Sequence, residues 1–160
     1  MSVDMFLKLD GIDGESQDAK HGKEIDVLAW SWGLSQSGTT HMGAGGGAGK
    51  VNVQDISVTK YLDKSSTNLM NYCCTGKHIK EATLVVRKAG ATPLEYVIIT
   101  MTDVLVTSIS TGGSGGEDRL TENLALNFGA FKVEYTPQKD DGSGDAKVET
   151  GFDIAANEVK

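Results

Sequence analysis

At 160 residues, 39% apolar and 23% charged, the chain has the size of one ordinary domain and the composition of a folded globular protein, not a disordered one. A formal net charge of −7 argues against a nucleic-acid binder, which usually shows a basic face, and does not suggest an anionic membrane surface as partner. The opening Met1–Lys8 carries an acid at Asp4 and no long apolar stretch, unlike a signal peptide, and the longest apolar run is broken by Thr100, Thr102 and Asp103, short of a membrane span.

Residues 3–9 and 24–36 alternate as strands. In the second, Leu28, Trp30, Trp32 and Leu34 share one parity while Ile25, Val27 and Ala29 share the other, as expected of a strand buried on both faces. The segment between them, 10–23, holds Asp10, Gly11, Asp13, Gly14, Glu15 and Gly22 and reads as a polar loop. Residues 37–50 form a glycine-dense loop with Gly38, Gly43, Gly45, Gly46, Gly47 and Gly49, after which 51–53 and 56–62 resume alternation.

A helix is expected over 64–75, capped by Asp63, Ser65 or Ser66, with Leu69, Met70 and Cys73 as its apolar stripe and Gly76 as its C′ residue. Strands follow at 79–88, 94–110 and 119–136, the last two joined by the turn Thr111–Gly116. In the last of these the apolar parity changes from Leu120, Leu124, Leu126 and Phe128 to Phe131, Val133 and Tyr135, which predicts a β-bulge near Gly129 and Ala130. A loop over 137–147 and a closing strand over 148–155 complete an all-β chain with one helix, read as a single domain over 1–160 without repeats or linkers.

The motifs exclude several chemistries. Gly43–Lys50 lacks the Walker pattern, since Ala44 and Val51 stand where Gly and Ser or Thr are required. Gly43, Gly45 and Ala48 match GxGxxA, but a strand follows, and no helix N-terminus is available for a pyrophosphate. Asp141, Ser143 and Asp145 begin like a calcium loop, but Ala146 and Phe152 occupy its obligatory Gly and Glu positions. His21, His41 and His78 stand alone and read as surface or strand-end residues, so no metal site and no cofactor are expected. Cys73 and Cys74 are adjacent and cannot staple the fold. No nucleophile elbow occurs, and the chain does not read as an enzyme.

Several segments, in order along nearly the whole chain, resemble the haemolysin-coregulated protein family, the inner-tube subunits of bacterial type VI secretion systems. They are Val3–Phe6, Glu24–Gln36 (EIDVLAWSWGLSQ), His41–Asp55 (HMGAGGGAGKVNVQD), Thr59–Ser65, Gly76–His78, Val85–Gly90, Ser110–Asn123 (STGGSGGEDRLTEN) and Gly151–Ile154, where Phe152 stands at a common Trp position. Loops 10–23 and 137–147 match poorly. The resemblance implies a compact β-barrel of two packed sheets with one short α-helix and a protruding Gly-rich loop. It implies hexameric rings stacked into a tube that a contractile sheath drives, under a spike, into target cells. It further implies small effector proteins carried in the lumen, and a subunit made in the cytoplasm and secreted without a signal peptide.

Within that frame, Gly43, Gly45, Gly46, Gly47 and Gly49 are expected at contacts between stacked rings, because glycine permits close backbone approach; a flexible loop with no such role is the competing reading. Ser114, the one side chain at the centre of its glycine turn, is expected at the lumen, against an ordinary turn serine. Two other classes stand beside the ring: a monomeric ligand-binding β-barrel, which needs an apolar interior cavity, and a hydrolase, which needs convergent titratable groups.

Overall fold

The computed structural model describes residues 2–38 and 49–160. Its strands are β1 (Val3–Leu9), β2 (Ile25–Ser31), β3 (Leu34–Ser35), β4 (Asn52–Val53), β5 (Ile56–Tyr61), β6 (Ile79–Lys88), β7 (Leu94–Gly112), β8 (Thr121–Tyr135), β9 (Val148–Asp153) and β10 (Glu158–Val159), with one helix, α1 (Ser66–Thr75). Antiparallel ladders run β8-β5-β2-β1-β6-β7, and β7 pairs back onto β8, so six strands close into a barrel. Strands β9 and β10 extend from β8, while β3 and β4 form a separate two-stranded ladder. The all-β fold with one short helix expected from the sequence is the fold found; β10, unsigned in the sequence, adds one pair of residues opposite Phe152 and Asp153.

The barrel is filled by Leu7, Ile25, Ile56, Leu84, Ile99, Met101, Leu124 and Leu126, all buried. Each such aliphatic side chain contributes roughly 1.5–3 kcal/mol by leaving water. Helix α1 packs along β7 with Leu69 buried and Cys73 half-buried against the core, whereas Met70 faces out. Gly76 ends the helix in a left-handed conformation (φ +69°) and donates to the Tyr72 carbonyl at 2.9 Å. At the other end Ser65 makes no side-chain cap; its N–H donates instead to Asp63 Oδ1 at 2.9 Å.

Two parity changes have different causes. In β8 the inward side switches between Phe128 and Phe131 as expected, but the pairing with β7 stays in register. The partner strand switches with it, because Asp103, opposite Gly129, adopts φ +55°. A Cβ on Gly129 would stand in ordinary contact with Asp103 Cβ at 3.4 Å, so the kink is carried by the Asp103 backbone. At this point β8 also changes neighbour, from β5 (through Leu126) to β9 (from Ala130). The true β7–β8 register shift lies at Val106/Ser108, where Thr107 is the extra residue.

In β2 the shift lies between Val27 and Ala29, with Leu28 extra. Ile25 and Val27 point into the core before it, and Trp30 and Trp32 pack against the core after it. The two apolar parities thus reflect one buried face interrupted by a bulge, not a strand buried on both sides.

The 10–23 segment is a strap that sends Ile12 into the core and then lays Asp18 and His21 against Phe6 of β1, Arg87 of β6 and Glu95 of β7. His21 is buried, contrary to its reading as a surface or strand-end residue, and stacks on Phe6 at 4.4 Å. Its Nδ1 lies 3.0 Å from Glu24 Oε1 and its Nε2 2.6 Å from Glu95 Oε1. Arg87 donates to Asp18 at 2.6 and 3.0 Å and to Asp4 at 3.2 Å. Those donors hold the Asp18 carboxyl well below the usual carboxylate range.

Candidate functional site: an uncharged strand face beside a rooted arm

Register across four strands builds one continuous outer face. Ser31 pairs with Ser57, Ser57 with Ala125, and Ala125 with Ser108; the next row is Ala29, Thr59, Asn123 and Ser110. Thr59 Oγ1 donates to Asn123 Oδ1 at 2.8 Å, tying the strands side chain to side chain. All eight positions are exposed or half-buried, and none is charged. Elsewhere the outer strands carry the usual ions: Lys132, Glu134 and Glu149 interleave with Lys147 over β8 and β9 at 2.8–3.5 Å. These two rows of β2, β5, β8 and β7 are therefore small, polar and uncharged, with the carboxylates of Asp55 and Glu117 flanking them at the two ends.

At one end this face runs into the β7–β8 turn, where Ser114 is exposed and its carbonyl accepts from the Glu117 amide at 3.2 Å. Gly112, Gly115 and Gly116 stand in open space. A Cβ on Gly113 would instead fall on the Leu120 side chain, which folds over the turn. Ser114 thus projects beside the uncharged face with little bulk around it.

At the other end the β3–β4 ladder leaves the barrel. Of the glycines expected at ring contacts, Gly43, Gly45, Gly46 and Gly47 lie outside the described residues. Gly49 lies within them, and a Cβ there would fall on Ser37 Oγ, so the two chains approach closely at this point. Asp55 sits at the base of this arm; its Oδ2 accepts from Thr107 Oγ1 at 2.6 Å and its Oδ1 from Asn127 Nδ2 at 2.9 Å.

One nucleophile constellation went unread in the sequence. Ser66 Oγ lies 3.3 Å from Lys60 Nζ and donates to Glu122 Oε1 at 2.5 Å, and Lys60 is ion-paired to the same carboxylate. Lys60 and Glu122 are cross-strand partners, which spacing along the chain does not disclose. A serine–lysine pair is a hydrolytic arrangement in form, but Ser66 is 2%, Lys60 0% and Glu122 1% exposed, so no substrate reaches it. It anchors the start of α1 to the barrel end. Cys73 and Cys74 are free thiols, His78 is exposed and pairs with Asp103, and among the described residues no group of three His, Cys, Asp or Glu is arranged to hold a metal. No helix among the described residues is long and apolar enough to cross a membrane.

Comparison with known proteins places this geometry. The sequence profile of the family described as "Type VI secretion system effector, Hcp" matches residues 6–135. The chain is 61% identical over 159 residues to Protein hcp1 of Pseudomonas aeruginosa, covering 98% of each. It superposes on Hcp1 from Salmonella typhimurium with a TM-score of 0.83 at 43% identity, covering 100% of both chains. It also superposes on a structure described as a type six secretion system protein with a TM-score of 0.94 at 31% identity, covering 99% of this chain and 100% of the other. The chain therefore belongs to the Hcp family of type VI secretion system effector and tube proteins.

Proposed function

We propose that this chain is the repeating subunit of a hexameric ring, that the rings stack into the inner tube of a type VI secretion system, and that the lumen receives small effector proteins. The carrying observation is the uncharged four-strand face. A wall that must hold and then release folded proteins of differing charge gains from hydrogen-bonding capacity without a fixed field. Repeated around a ring, weak contacts from Ser31, Asn123 or Ser114 sum by multivalency. In this reading the chain acts as one unit over 1–160, is made in the cytoplasm, is exported by the sheath and spike of its own machine without a signal peptide, and performs no catalysis.

The ring needs a surface between protomers, and one edge of the barrel supports it. The β1–β2 ladder ends after Phe6↔Asp26 and Leu7↔Ile25, so the β2 edge from Val27 to Ser31 has β5 on one side and no strand on the other among the described residues. Val3 and Leu28, both 40% exposed, lie on the diverging segments. A neighbouring protomer covering this open edge would bury both, and a head-to-tail arrangement closes into a ring. Among the described residues the barrel interior, in contrast, is occupied by fully buried side chains, which favours the ring over a monomeric ligand-binding barrel.

Native mass spectrometry with gel filtration at micromolar protein and physiological salt tests the proposal. The expected species has about six times the 16.9-kDa chain mass. A monodisperse monomer overturns it.

A further inference from the structure

Met5, Leu7 and Leu9 turn one side of β1 to the core, so Phe6 belongs to its outer side. Phe6 is nevertheless 4% exposed and its cross-strand partner Val85 5%, and neither is part of the core cluster. An outward phenylalanine is buried only where something outside the barrel covers it, and here the cover is His21 of the 10–23 strap. The imidazole lies within 11° of parallel to the Phe6 ring at 4.4 Å, while the Arg87 guanidinium stands over the same ring at 5.0 Å.

Both ring nitrogens of His21 face acceptors. Nδ1 lies 3.0 Å from each carboxylate oxygen of Glu24, and Nε2 lies 2.6 Å from Glu95 Oε1. An ionised carboxylate only accepts, and a neutral imidazole has a single N–H, so a neutral ring leaves one carboxylate against a bare lone pair. An imidazolium donates to both. The neighbouring charges come from every element packed around the ring: Asp4 of β1, Arg87 of β6, Glu95 of β7 opposite Arg87, and Asp18 and Glu24 of the strap and its end. Lys20 and Lys23, beside His21 in sequence, are exposed. The carboxylates of Asp4, Asp18, Glu24 and Glu95 thus surround one buried guanidinium, and a charged His21 supplies the second buried cation.

We propose that the 10–23 strap is a proton-controlled latch: a charged His21 bridges Glu24 to Glu95 and holds the strap shut over Phe6, and loss of that proton opens it. The latch is closed below the pH at which the ring loses its proton, as long as the carboxylates stay ionised, and open above it. Glu24 closes the strap on itself, whereas Glu95 lies on the barrel, so the Glu95 contact is the one that matters for release. The pair of Asp18 and Arg87 persists on the alkaline side, so the strap turns about Asp18 and swings His21 away, baring an apolar patch at Phe6. This device does not depend on the ring.

The test uses the full-length protein labelled with 15N-histidine. NMR of the ring nitrogens and hydrogen exchange of the strap are followed from about pH 5.5 to about pH 9.5, an interval that spans the ordinary titration of histidine. His21→Phe assigns the His21 resonances by their loss. The reporting amides are Lys23, which donates to the Ser16 carbonyl at 2.9 Å, and Glu24, which donates to the His21 carbonyl at 3.2 Å. In wild type both ring nitrogens should be protonated at about pH 6, and the protection of these amides relative to their intrinsic rates should fall at least about tenfold as the ring loses its proton. Leu124 and Leu126 should stay level over the same interval. His21→Phe, which keeps an aromatic ring but no tie, should be poorly protected at every pH. Glu95→Gln should hold its protection within about twofold throughout, because an amide accepts from a ring N–H or donates to a bare nitrogen. A ring already neutral at about pH 6, a ring that keeps its proton to about pH 9.5, or a strap that stays level while the ring titrates overturns the latch. So does a Glu95→Gln profile that follows wild type. Should His21→Phe fail to fold, His41→Gln and His78→Gln assign the ring by elimination, and wild type against Glu95→Gln decides.

Discussion

Replacing Lys60 by methionine is the sharpest probe of how this barrel is closed. Lys60 Nζ touches Glu122 Oε1, Asp63 Oδ1 at 3.1 Å, the Tyr61 carbonyl at 3.0 Å and Ser66 Oγ at 3.3 Å, and the lysine and Glu122 are both buried. Methionine fills the same tunnel but leaves the Glu122 carboxylate buried with its cation gone and its Oε2 already without a hydrogen-bond partner among the described residues. An uncompensated buried charge of this kind costs about 3–5 kcal/mol. At about 2–4 °C per kcal/mol for a chain of this size, the melting temperature should fall by roughly 6–20 °C.

Thermal unfolding followed by circular dichroism, at one fixed protein concentration because assembly shifts the midpoint, reads the change. The double variant Lys60→Met, Glu122→Leu separates charge from packing. Removing both ions together should recover most of the loss, since apolar replacements of a buried pair are often neutral or stabilising. A single variant within about 1 kcal/mol of wild type refutes the claim that the pair is sealed from water. A double variant as unstable as the single one shows that packing beneath α1, not charge, carries the effect.

Other outcomes follow from the same structure. Because Arg87 depresses the Asp18 carboxyl, the tie it makes is fully present above the ordinary value of 3.8 and is lost as pH falls through the folded-state value. In the surrounding cluster of Asp4, Glu24, Glu95 and His21, the protection of the Lys20 and His21 amides relative to their intrinsic exchange rates should therefore fall in acid, whereas Asp18→Asn lowers it already at pH 7; coincident protection profiles for the two proteins would reject the tie. Ser114→Gln should keep the ring on gel filtration and lose co-purification of a lumen-carried effector, and unchanged recovery moves the cargo surface elsewhere. Gly14→Ala should lower stability by about 1–3 kcal/mol. Its Cβ would lie 2.5 Å from the Glu24 carbonyl oxygen and 2.8 Å from Ile25 Cα, backbone that cannot step aside, and an unshifted melting curve would show that the strap gives way freely.

Alternation and turn chemistry along the chain were enough to place the strands within a few residues, the helix between Asp63 and Gly76, and the glycine turns, because those signals are local: side-chain period, cap residues and φ-permissive glycines. Family membership was legible too, from motifs kept in order. What the chain could not disclose were facts of register. The mixed parity of β2 looked like burial on both faces until the bulge at Leu28 was seen, and the switch in β8 looked like a bulge until Asp103 was found turning with Gly129. His21 seemed isolated because Glu95 is 74 residues away, and Lys60 and Glu122, 62 apart, meet only across a ladder. The uncharged face is likewise invisible in any one segment, since Ser31, Ser57, Ala125 and Ser108 come from four strands. Local conformation follows from neighbours in sequence; which side chains share a face or a buried ion pair follows from strand pairing, and only the closed barrel decides that.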